Sequence, residues 1–164
     1  MSRCGLIRHD QARNHNMYEY ISQDNIHILV GENVKENEEL TAASRPEDWW
    51  MHVVEKPGAH VIIAYNKDSL PKETVNDAAA IAVYHSQAKT MPKVCVHVAR
   101  AKNVIPGKQK GQVNVIEVSS VKNIFMSKEL FRMERLLKTR VHNKTWNTNS
   151  GIPSCFGGKS CLCT

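Results

Sequence analysis

In Asp48-Trp49-Trp50-Met51-His52-Val53-Val54-Glu55-Lys56-Pro57-Gly58-Ala59-His60-Val61-Ile62-Ile63, two runs of strand-forming residues flank a Pro-Gly turn signal. Each run carries one histidine among apolar neighbours. Burying an imidazole costs free energy unless it finds a partner, so His52 and His60 either serve a polar network or face a working surface. Strand alternation sends Trp49 and Trp50 to opposite faces, so at most one is exposed and the other is core. The register stays open at this stage. A two-residue loop at Pro57-Gly58 pairs Glu55 with His60 and turns His52 to the other face. A three-residue loop over 56–58 pairs Val54 with His60 and gathers His52, Val54 and His60 on one face. Pro followed by Gly fits a type II turn, which suits a two-residue hairpin poorly, so the three-residue register or a longer one is favoured.

The surrounding pattern gives the rest of the fold. Residues 1–24 are polar and mixed, an extension whose later part is a candidate strand. Ile26-His27-Ile28-Leu29-Val30 reads as a strand closed by Gly31. Asn33 is placed to cap a short acidic helix through Glu36, Glu38, Glu39 and Leu40. Strands are expected at 49–54 and 59–65, and Pro71 then opens a helix reaching to about Lys89. Val75, Ala78, Ala79, Ala82 and Val83 give that helix a narrow face of mostly small side chains, which lets it lie close on the strands. A strand over 93–99 alternates Val94, Val96 and Val98 against Cys95, His97 and Ala99.

A Lys-rich loop follows, and then Val113 to Val118 and Val121 to Phe125 read as a closing pair of strands around Ser119-Ser120. The last helix, about Lys128 to Lys138, sets Leu130, Met133, Leu136 and Leu137 on one side and Lys128, Arg132 and Arg135 on the other. From Thr139 the tail loses periodicity and is expected to be mobile. The fold class is α+β: a mostly antiparallel β-sheet with an alanine-rich helix packed on it and a basic C-terminal helix. The expected division is an extension (1–24), a domain (25–138) and a Cys-containing tail (139–164).

Composition narrows the function classes. At 164 residues, 41% hydrophobic and 23% charged, the chain is expected to be one soluble globular domain. No apolar run approaches the roughly 20 residues that cross a bilayer. Met1-Ser2-Arg3-Cys4-Gly5-Leu6-Ile7-Arg8 lacks the apolar core of a signal peptide, and Ser2 removes N-myristoylation. The five cysteines (Cys4, Cys95, Cys155, Cys161, Cys163) form an odd set without a secretory signal, which points to a reducing, cytoplasmic setting with no membrane partner. Cys95 is expected to be a small buried hydrophobe. The net charge of +6 hides an asymmetry. Residues 1–88 carry 8 Lys/Arg against 13 Asp/Glu, and residues 89–164 carry 14 against 3. Such a division suggests a basic surface suited to a polyanion.

Several motifs occur in one order. They are Leu29-Val30-Gly31-Glu32-Asn33 with Glu36-Asn37-Glu38-Glu39-Leu40, Asp48-x-Trp50-x-His52, Gly58-Ala59-His60-Val61, Ala78 through Ser86, and Val104 through Gly111-Gln112-Val113. Together they make residues 26–126 resemble the RNA-binding (R) domain of the NFACT proteins. The resemblance implies a small, non-enzymatic RNA-binding module tied to translation or ribosome quality control. The partners it implies are tRNA or ribosomal RNA, the ribosome, or a protein supplying the other NFACT domains. Full-length relatives join this domain to others and act on stalled large ribosomal subunits. With 164 residues the chain is expected to be a stand-alone form, so tail synthesis is not carried over to it. It departs from the family at Val98-Ala99, where relatives often have Tyr-Thr, and where Lys102-Asn103-Val104 runs into Ile105-Pro106. Lys108 and Lys110 are expected to replace the charge missing there.

The residues support a polyanion site in their own right. Long cations on loops and helix faces follow a phosphate backbone and supply its salt-dependent affinity. Arg100, Lys102, Lys108 and Lys110 share one connection, Lys89 and Lys93 precede it, and Lys128, Arg132 and Arg135 stand on the last helix. Unpaired bases need a flat surface, for which Trp49 or Trp50, with His52 and His60, are the candidates.

No cofactor or metal is assigned. His52 and His60 with His85 or His97 lack a zinc spacing, and Cys155-x5-Cys161-x-Cys163 with His142 lacks apolar residues for a supporting shell. Cys161-Leu162-Cys163-Thr164 is a poor prenylation box, and Gly157-Gly158-Lys159-Ser160 is half a phosphate loop with Pro153 in place of its first Gly. Two readings compete with RNA binding. One is an RNA-processing or RNA-modifying enzyme using Asp48, His52 and His60; the other is a protein-interaction subunit with a basic face.

Overall fold

The computed structural model describes residues 17–118 and 120–143. Seven strands form one antiparallel sheet: β1 (Met17–Ile21), β2 (His27–Gly31), β3 (Trp49–Val53), β4 (His60–Ile63), β5 (Val94–Arg100), β8 (Ser120–Ile124) and β9 (Val141–Asn143). Their spatial order is β8-β5-β3-β4-β2-β1-β9. A separate two-stranded ribbon pairs β6 (Val104–Pro106) with β7 (Val113–Val115). Among the described residues there are three α-helices, α1 (Val34–Ala43), α2 (Lys72–Tyr84) and α3 (Leu130–Thr139). The α+β class is therefore as expected. Asn33 caps α1 as predicted, its Oδ1 accepting from the Glu36 amide at 2.9 Å.

The sheet is covered on both faces, and strand alternation divides two cores between them. On one face Trp49, Met51, Val53, Val61, Ile63, Val94, Val96 and Val98 pack with Ala78 to Val83 of α2. All six of those helical residues are buried, a wider apolar surface than the expected stripe, because Met133 and Leu136 of α3 join the same core. On the other face Leu29, Trp50, Ile62 and Ala99 gather with Leu40 of α1 and with Val104, Val113 and Val115 of the ribbon.

Several expectations are corrected. The closing strand pair does not form: β7 turns back on β6, and β8 pairs with β5 instead. The alanine-rich helix stops at Tyr84 rather than Lys89. There Ser86 Oγ donates to Val83 O and accepts from the Ala88 amide, and Ser86 bridges to Gly58. The candidate strand in the later part of the extension does form, Met17–Ile21 pairing with β2, and Val141–Asn143 pairs with β1 in the same sheet. Cys95 is half-buried, with its Sγ 3.1 Å from Asn123 Oδ1. The expectations for residues 1–16 and 144–164, including the tail's mobility and its cysteine and Gly-Gly-Lys-Ser motifs, lie outside the described residues.

Candidate nucleic-acid interface

Pairing of Trp50 with Ile62 and Met51 with Val61 puts His52 opposite His60 across the β3–β4 turn. That is the longer register, in which the two histidines share a face as expected. Val54 lies beyond the strand, and the turn's positive φ (64°) falls on Glu55. On the other side of β3, His52 pairs with His97 of β5. Three imidazoles thus stand in a row across β4, β3 and β5, beside Trp50.

The rings touch. The Trp50 and His52 planes are within 10° of parallel with centroids 5.8 Å apart, and His60 meets both edge-on at 5.5 and 5.3 Å. His60 is anchored from α1: its Nδ1 lies 2.8 Å from Thr41 Oγ1, and its amide donates to Asn37 Oδ1. Burial drives the His60 pKa down to about 3, with the neighbouring His52 adding to the effect and the Asn37 hydrogen bond opposing it. Burial lowers His52 as well. Both rings are therefore neutral at neutral pH, each with one donor and one acceptor. Trp50 is 1% exposed, and its Nε1–H has no acceptor among the described residues. An uncompensated buried donor of this kind costs about 1–3 kcal/mol.

These side chains floor an open cleft of ≈ 590 Å³. Its walls are the β3–β4 turn at Glu55, Lys56 and Pro57 and the ribbon from Gly111 to Val115. The ribbon lies close because Gly111 has a φ of +81°, where its missing side chain admits Val34 of α1. The Gly111 amide also donates to Glu38 Oε1 at 3.1 Å.

The expected cations separate into two groups. Lys89, Lys93, Lys108, Lys110 and Lys128 are exposed and make no ion pair with a described acid. The segments that carry all of these but Lys128 meet at the cleft end of the sheet; Lys128 instead lies beside Gln23, Glu73 and Glu129, near the start of α2. The Gln87 amide donates to Pro57 O, and the Val54 amide donates to Cys95 O beside Lys93. Lys128 Nζ lies 5.2 Å from the centre of the Phe125 ring. Lys56, exposed on the turn itself, belongs with the lysines at the cleft end.

Arg100 and Lys102 stand beyond the other end of β5, about 20 Å away at about 3.3 Å per residue. They are engaged there: Arg100 with Glu47 and Asp68, and Lys102 with Glu47. Arg132 and Arg135 do not present a solvent face either. Arg132 bonds Glu73, Asp77 and Glu129, and Arg135 bonds Asp77 at 2.6 Å.

The aromatic candidates change as well. Trp49 is 7% exposed, covered by Arg100 at 4.1 Å from its ring, and its Nε1 donates to Lys67 O. It offers no open stacking face. His60 is 3% exposed, packed edge-on against Trp50 and His52. Sequence reasoning missed His97 and Lys56 and left Trp50 as an alternative to Trp49; the alternation in β5 placed His97 correctly, but nothing local put β5 beside β3. Asp48 is committed to a turn, its carboxylate accepting from the Arg45 amide at 2.9 Å and from Arg45 Nη2 at 3.1 Å. Burial raises its pKa against those bonds. Among the described residues no group of three His, Cys, Asp or Glu is arranged to hold a metal ion. No described helix is long and apolar enough to cross a membrane.

Residues 16–121 match the family described as the NFACT protein RNA binding domain. The chain belongs to that family. Its NFACT-type domain has relatives among proteins named Rqc2 homolog RqcH. The Bacillus subtilis (strain 168) protein is 39% identical over 87 residues, which are 52% of this chain and 15% of the relative. The Streptococcus pneumoniae serotype 2 protein is 36% identical over 107 residues, 61% of this chain and 19% of the relative. The chain therefore spans less than a fifth of the length of these relatives. Among solved structures, the C-terminal part of the fibronectin/fibrinogen-binding protein from Streptococcus suis aligns with a TM-score of 0.63 and 28% identity. That alignment covers 69% of this chain and 46% of the other.

Proposed function

We propose that this NFACT-family chain is a non-catalytic RNA-binding module of ribosome quality control, acting in the cytoplasm on tRNA or ribosomal RNA. The observation that carries the reading is the meeting of Lys56, Lys89, Lys93, Lys108 and Lys110 at one end of the sheet, none with a described acidic partner. Lysines so arranged track phosphates without reading sequence. The neutral aromatic floor between them suits single-stranded or splayed RNA better than a duplex, whose bases are already stacked. The ribosome, or a protein carrying the domains found in longer relatives, is the setting in which the module meets its RNA. The catalytic reading is not favoured, because Asp48 is taken up by Arg45 and His60 by Thr41.

Fluorescence anisotropy with a labelled single-stranded RNA, from about 50 to about 200 mM salt, tests the reading. The logarithm of the affinity should fall linearly with the logarithm of salt concentration. An absence of binding at the lowest salt would refute it.

A further inference from the structure

We propose that the cleft floored by Trp50, His52, His60 and His97 holds one unpaired nucleobase drawn from the bound RNA. Its flanking phosphates lie on the rim lysines Lys56, Lys108 and Lys110. The inference rests on the RNA-binding reading and adds to it a defined subsite. Phosphate grip alone needs no cleft; a cleft floored by planar rings, with His52 and His97 half-buried among them, calls for a planar guest. The Trp50 and His52 rings are near-parallel, and His60 closes the corner edge-on. A volume of ≈ 590 Å³ falls within the roughly 300–1,000 Å³ of small-molecule sites.

The polar chemistry matches a base edge. Nucleobases alternate hydrogen-bond donors and acceptors and carry no charge. The floor offers the same pattern: the partnerless Trp50 Nε1–H and imidazoles held neutral by burial. A base carbonyl oxygen satisfies that indole N–H once Val113 and Val115, which pack against the same cluster, give way. The one acid in the lining, Glu55, sits on the turn and is exposed, where it accepts from an exocyclic amine. An anionic or cationic guest finds no buried countercharge among the lining residues.

The test compares two RNA oligomers of equal length and charge, one of uridines and one with abasic ribose throughout, on wild-type protein and on Trp50→Phe and His97→Ala. Trp50→Phe keeps an aromatic ring, smaller than the indole, and removes the N–H; His97 is only half-buried, so its truncation spares the core. Wild type should bind the uridine oligomer about tenfold or more tightly than the abasic one, the usual return for stacking one base. Each variant should shrink that ratio toward one. Titration with uridine monophosphate should also shift the Trp50 indole proton resonance. Equal wild-type affinity for both oligomers overturns the nucleobase subsite and leaves the RNA-binding reading standing. Failure of both to bind overturns that reading and the subsite with it.

Discussion

Asp77 shows what a single side chain holds together. It is fully buried on α2, accepts from Arg132 and Arg135 of α3, and takes the Gln23 amide on its second oxygen. Asp77→Ala should cost about 3–5 kcal/mol in urea denaturation, because two guanidinium groups lose their common acceptor; a loss under about 1 kcal/mol would contradict this account. The sequence could not announce the triad, since the basic stripe Lys128, Arg132 and Arg135 looks the same whether it faces solvent or a carboxylate 55 residues upstream.

His60 makes a pH prediction. Its native pKa of about 3 lies below the ordinary unfolded value of about 6.5, so the unfolded chain takes up a proton that the native state refuses. Its stabilising contribution is complete above about pH 6.5 and falls by up to about 1.4 kcal/mol per pH unit as pH drops toward 3. Thermal melts across that window should show a shallower decline for His60→Gln than for wild type, and parallel declines would count against the assignment. That His52 and His60 share a face was legible in the turn chemistry. That Trp49 is covered was not, because its lid, Arg100, arrives from a distant strand.

The β6–β7 ribbon decides whether there is a cleft at all. It is held by the left-handed turn at Gly111, where a methyl group would come within 2.9 Å of Val34 Cγ1. Gly111→Ala should therefore loosen the ribbon and leave the main sheet folded. Hydrogen exchange should rise at Val113 and Val115 with little change in β3 and β5; uniform protection would mean that the ribbon does not depend on this glycine. Long periodic elements were readable in advance: α1 with its Asn33 cap, the alternating β5, and the apolar run of α2. The ribbon was not, because strands of three residues interrupted by Pro106 carry no period of their own. The same ambiguity gave β7 to the wrong partner.

Across the molecule, the charge split between the two halves was plain in the sequence, yet its meaning was only partly legible. Acids of the acidic half reach across the fold and engage Arg100, Lys102, Arg132 and Arg135 through Glu47, Asp68, Glu73 and Asp77. Lys56, Lys89, Lys93, Lys108 and Lys110 at the cleft end keep no such partner among the described residues, whereas at the opposite end Arg100 and Lys102 are engaged by acids. Strand order, which brings β5 and its loops beside β3, produces this sorting, and strand order is not encoded in any local window. The direct test is the salt dependence of single-stranded RNA affinity in two triple alanine variants of equal charge change. One removes Lys89, Lys108 and Lys110 at the cleft end; the other removes Lys67, Lys72 and Lys102 at the opposite end. The first should weaken binding and flatten the salt slope by about 0.7 for each phosphate it no longer neutralises, and the second should stay near wild type. Indistinguishable slopes for the two variants would contradict a localised RNA interface.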